Sequence, residues 1–144
     1  MSDAQVQAFQ NVPTGTSSGL RVNASGDVSS GQLVNVVDND ASLGSAAVIL
    51  TYDPTAGSTA RVTGASCFGT SGAMDTAVVS IVLASSSESA DITIGQWENG
   101  DMVGAAAFQH LDVIMEDGDV LELEVVTTDA TETADVAIFA IEYA

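Results

Sequence analysis

Short β-rich runs, each closed by Gly, Ser, Asp, Asn or Thr, recur from one end of the chain to the other. This succession constrains the fold more than any other feature. No stretch keeps an apolar helical period over about 11 residues, so helical layers are not expected. Strands are expected at residues 5–10, 19–24, 32–37, 46–52, 60–68, 76–84, 90–97, 107–115, 119–127 and 134–143. Turn signals separate them: Pro13-Thr14-Gly15, Ser25-Gly26-Asp27, Asp38-Asn39-Asp40, Asp53-Pro54, Glu98-Asn99-Gly100-Asp101 and Glu116-Asp117-Gly118-Asp119. Asn-Gly and Asp-Gly supply the positive φ that tight hairpins need.

Alternation assigns faces. After Ala107, the residues Leu111, Val113 and Met115 share one face, while Phe108, His110, Asp112, Ile114 and Glu116 share the other. In the next run Leu121, Leu123 and Val125 alternate with Glu122 and Glu124. One dry face and one wet face is the signature of an antiparallel sheet. The last run is apolar on both faces, with Phe139, Ile141 and Tyr143 opposite Val136, Ile138 and Ala140. It is therefore central in its sheet or covered by another subunit. About ten such strands, roughly a dozen residues apart, predict an all-β, antiparallel two-sheet β-sandwich of the jelly-roll kind. Residues 1–18 read as a polar N-terminal arm or a first strand, and 19–144 as the single sandwich domain. At 144 residues and 46% hydrophobic, the chain can bury a core without disulfides or metals. With aromatics at 5%, Val, Ile, Leu and Ala must fill it.

Charge defines the environment. Twenty acids face two bases, Arg21 and Arg61, with no lysine, for a net charge of −18. From Val62 onward there are 15 acids and no base. An ordinary acidic protein keeps lysines, because mixed-sign surfaces lower self-repulsion. Their complete loss fits life in concentrated salt. At about 1 M salt the screening length is ~3 Å, so carboxylates no longer repel strongly and their hydration keeps the protein dispersed. The same charge argues against nucleic-acid and anionic-membrane partners, which need basic groups.

Cys67 is the only cysteine, so no intrachain disulfide forms; it reads as a buried small hydrophobe. Met1-Ser2-Asp3-Ala4-Gln5 lacks the basic start of a secretory signal, and no apolar stretch approaches membrane-helix length. Synthesis in the cytoplasm, with no membrane insertion, is expected.

Catalytic constellations are poor. His110 is the only histidine, with Asp112 two positions on, and there is no Gly-x-Ser-x-Gly elbow. This pair reads as polar side chains on a wet face. Trp97, Tyr52 and Tyr143 are too few to outline a sugar platform. No enzyme and no cofactor are expected. Structural cations are the one candidate ligand: Asp38, Asp40 and Asp53 are expected to meet at one sandwich end, and Glu116, Asp117 and Asp119 form a second group. Neither reproduces the calcium-loop spacing.

The segment from Leu111 to Val125 is a strand, a Gly-Asp turn and an alternating strand; after a polar loop, Ala137-Ile138-Phe139-Ala140-Ile141-Glu142-Tyr143 closes the chain. This resembles the closing strands of tumour-necrosis-factor-like and complement-like jelly rolls, and the jelly-roll heads of viral capsid, turret and fibre proteins. It covers about 35 residues. The missing basic residues separate it from the receptor-binding families. The resemblance implies a homo-oligomer around a symmetry axis, a trimer or a pentamer. Joined to the salt adaptation, it implies a capsid, decoration or turret protein on the virion surface of a haloarchaeal virus, packed against other capsid proteins. A fibre or adhesin module that reads a host surface is the alternative. Residues expected at subunit contacts are Phe9, Trp97, Phe108, Val136 and Ile138.

Overall fold

Period-two patterning becomes two stacked sheets. The computed structural model describes residues 21–22, 28–29, 31–71, 76–98 and 100–144. The expected arm at 1–18, with Phe9, lies outside them. The chain divides at Gly31 into two units. In the first, β1 (Arg21–Val22) and β2 (Val28–Ser29) pair antiparallel.

The second unit, Gln32–Ala144, holds β3 (Gln32–Ser42), β4 (Val48–Tyr52), β5 (Thr59–Ser71), β6 (Val78–Ala84), β7 (Ile92–Trp97), β8 (Phe108–Met115), β9 (Val120–Thr127) and β10 (Thr133–Tyr143). A 3-10 turn at Gly104–Ala107 leads into β8. Two antiparallel four-stranded sheets result, ordered β3-β10-β5-β8 and β4-β9-β6-β7. The pairs β3–β10, β4–β9, β5–β8 and β6–β7 nest, first strand with last and second with next to last. A long hairpin rolled so that successive pairs fall in alternate sheets has this order, which is the jelly roll. The expected all-β sandwich is the fold of this unit.

The core lies between the sheets. Val62, Cys67, Met115, Val136 and Ile138 face Val79, Ile81, Trp97, Leu121 and Leu123, and all are buried. Trp97 closes the core beside the 3-10 turn, its indole Nε1–H donating to the Ala107 carbonyl at 3.0 Å. Central β10 explains its double apolar character: Ala134, Val136, Ile138 and Ala140 point inward, and Ala137, Phe139, Ile141 and Tyr143 outward.

The turn expected at Asp38-Asn39-Asp40 is a β-bulge inside β3. Asp38 pairs with Val136 and Ala41 with Ala134, so Asn39 and Asp40 together oppose Asp135. Asp40 takes the left-handed conformation (φ 55°), which a short polar side chain tolerates, and its amide donates to Asp135 Oδ1 at 2.9 Å.

Candidate interaction surface

Register on the first sheet brings apolar side chains together on its outer face. One row crosses Leu33, Ile141, Arg61 and Ile114; another crosses Asn35, Phe139, Gly64 and His110; a third crosses Val37, Ala137, Ser66 and Phe108. Phe68 extends the face beside Asp135. Leu33 is 75% exposed, Ile114 59% and Val37 56%, with Phe68 and Phe108 exposed as well. Large apolar side chains scattered singly need no explanation, but a contiguous group rimmed by polar residues marks a contact surface.

The centre of the face is pre-packed. The Phe108 ring stands edge-on to His110, with centroids 4.8 Å apart and planes at 86°, and tilts against Phe139 at 5.8 Å. Both are favourable aromatic geometries. Phe108 lies directly over Gly64, where an added Cβ would come within 2.8 Å of Phe108 Cε1. A side chain there would push the half-exposed ring aside.

Charge on the face is nearly cancelled. Arg61 is the only base from Gln32 onward, and its Nε–H donates to Asp112 Oδ1 at 2.9 Å. Such an exposed pair contributes about 0–1 kcal/mol to stability; its larger effect is to neutralise the one carboxylate inside the patch. Asp135, at the rim, accepts the Asp40 amide. The second sheet differs. Its outer face carries Thr51, Ser80, Gln96, Glu122 and Glu124, placed there by register opposite the inward Leu121 and Leu123, with Val48, Val82 and Val126 among them. The second sheet's face mixes valines with glutamates that are unpaired among the described residues, whereas the first carries the larger apolar group and pairs its interior carboxylate with Arg61.

The carboxylates expected to gather cations have other partners. Asp38 and Asp40 lie on β3 near the Thr133 end of β10, whereas Asp53 follows β4 near the Glu142 end, so the two places are about 25 Å apart along the strand. They do not converge. Glu116, Asp117 and Asp119 do share one turn. There Asp119 accepts the Ser86 amide at 2.7 Å, the Glu116 amide at 2.9 Å, and the Ser86 and Ser85 hydroxyls at 3.0 and 3.3 Å. The Glu116 amide, then the Ser86 amide, hold its carboxyl below the usual aspartate range. Asp117 accepts the Gly57 amide at 3.1 Å. Glu142 accepts the Tyr52 hydroxyl at 2.7 Å and the Thr55 amide at 3.3 Å, and the tyrosine hydroxyl holds it below the usual glutamate range. At the opposite end buried Glu132 accepts the Ala77 amide at 3.2 Å. In a chain almost without bases, carboxylates fasten loops through N–H and O–H donors. Among the described residues no three of His, Cys, Asp and Glu stand close enough to hold a metal ion.

The residues expected at subunit contacts divide. Phe108 is exposed at the centre of the apolar face. Trp97, Val136 and Ile138 are fully buried and pack into the sandwich's own core, so they do not reach a neighbour. For β10 the reason is parity: with both faces apolar, nothing in the strand itself says which one is inside. Phe139 and Ile141, on the other parity, hold the outer positions. His110 rests on Phe108 and Asp112 on Arg61, so both members of this outward-facing polar pair have partners on the sheet.

No protein-family model matches the chain, and no curated protein matches it.

Proposed function

We propose that the chain is a structural virion protein, a capsid, decoration or turret subunit of a halophilic archaeal virus. It works by symmetric self-assembly and by packing on the capsid surface, with no reaction to catalyse. The observation that carries this reading is the contrast between the two sheet faces. A chain of net charge −18 that keeps one sheet face apolar and charge-balanced is suited to tight packing in salt, where its remaining carboxylates are screened. The nested strand order supports the same reading, because jelly rolls recur as viral capsid domains. Neutral contacts also suit an assembly whose subunits would otherwise repel.

The test is location on particles. Antibody labelling of intact virus purified in molar salt is expected to decorate the whole particle surface. Label confined to fibre tips supports instead a module that reads the host surface. Absence of the chain from purified particles contradicts the proposal.

A further inference from the structure

We infer that the outer face of the β3-β10-β5-β8 sheet is closed by the same face of a second copy, related by a twofold axis near Phe139 and Gly64. The inference rests on the self-assembly reading and names its contact.

Charge selects the occupant. A partner evolved to meet this chain through its carboxylates would carry bases, and its footprint would fall on acids such as Glu122 and Glu124 of the second sheet. The first sheet offers no such target. Its one interior carboxylate, Asp112, is already paired with Arg61, and its centre is Ala137, Phe139, Gly64 and Phe108. Two bodies of charge −18 approach at least cost through the surface where local charge cancels. That surface is this one, and a second copy supplies the same balanced face in return.

Size agrees. Four strands about 4.8 Å apart and some seven residues long outline roughly 400 Å². A specific contact buries about 800 Å² per partner, with an apolar centre and a polar rim. The patch supplies the centre of such a contact, about half its area; Ser66 and the Arg61–Asp112 pair are polar groups inside it, and Asn35 and Asp135 lie toward its edge. Two twisted sheets pack face to face at about 30° when their outer side chains interdigitate. A self-contact of this kind is isologous, so it closes without forming a filament.

The experiment has two parts, both in molar salt. Mass is measured by light scattering for the parent and for Leu33→Asp/Ile114→Asp, two positions exposed enough that the fold tolerates the change. Hydroxyl-radical footprinting of the unaltered protein needs no variant. It compares Leu33, Phe68, Phe108 and Ile114 with Ile92 and Val126, exposed side chains of the second sheet. The expected results are an assembled parent, at least a twofold loss of mass in the double variant with unchanged circular dichroism, and about fivefold or greater protection of the face residues in the parent. An assembled parent whose variant keeps its mass, with face residues as reactive as Ile92, overturns the inference and leaves self-assembly standing through another contact. A parent that is monomeric at high concentration overturns both. Protection of the face in a species of one-chain mass also overturns it, in favour of cover by another segment of the same chain.

Discussion

The Asp119 carboxylate accepts the Ser86 amide at 2.7 Å and so ties the turn between β8 and β9 to the loop after β6. Four donors from two loops converge on this side chain. Replacing it by alanine leaves two part-buried amide hydrogen bonds without an acceptor, and is expected to cost about 1 kcal/mol. Urea unfolding of Asp119→Ala in molar salt measures this directly.

The same group sets a pH window. Its pKa is lower in the folded chain than in the unfolded one, where it lies near the ordinary ~3.9. Its contribution is therefore complete above that ordinary value and is lost as pH falls through the depressed folded value. Glu142 acts in the same direction through Tyr52. The stability gap between the parent and Asp119→Asn is expected to narrow as pH drops below about 4. Denaturant midpoints at a series of pH values test the sign; a gap that widens in acid contradicts it.

Gly64 and Phe108 are coupled by shape. Gly64→Ala pushes a methyl group against the half-exposed ring and is expected to destabilise the fold by about 1 kcal/mol. Adding Phe108→Ala makes room and should recover part of that loss. A double-mutant cycle with no coupling would show that the ring does not hold this position.

Cys67 reports on core integrity. Burial pushes its thiol up to about 12, so the nucleophilic thiolate is scarce at neutral pH. In molar salt it is expected to resist an aromatic disulfide reagent, and to react once the sandwich opens in denaturant. Fast labelling under folding conditions would mean that β5 and β10 separate readily.

Trp97 offers an independent signal. It is the only tryptophan and is fully buried. Its emission is expected to be blue-shifted in molar salt, and Trp97→Ala should cost about 3–5 kcal/mol. Thermal unfolding of that variant, followed by circular dichroism, checks the magnitude.

Much of the fold was readable from local pattern. Strands such as β8 and β9 alternate cleanly because one face is dry and the other wet, and their inward residues could be named from parity alone. Central β10 lost that information because both faces are apolar, which is why Val136 and Ile138 were placed outside instead of Phe139 and Ile141. Asp38-Asn39-Asp40 has turn composition, yet the pull of pairing with β10 keeps it in a strand and the left-handed residue becomes a bulge. The partners of the acidic groups are hidden for a different reason. Asp119 and Glu142 find donors 33 and 87–90 residues away, and no local spacing shows such partners. The apolar face itself was invisible for the same cause, since Leu33, Phe68, Phe108 and Ile141 meet only through register.

Mass measured across a salt series bears most directly on the central claim, that screened carboxylates surround a sandwich which assembles through a neutral face. The account predicts a discrete oligomer in molar salt that dissociates, with Trp97 emission shifting red, as salt falls toward about 0.1 M, where the screening length grows to ~10 Å. A monomer in molar salt, or a mass indifferent to ionic strength, would contradict it.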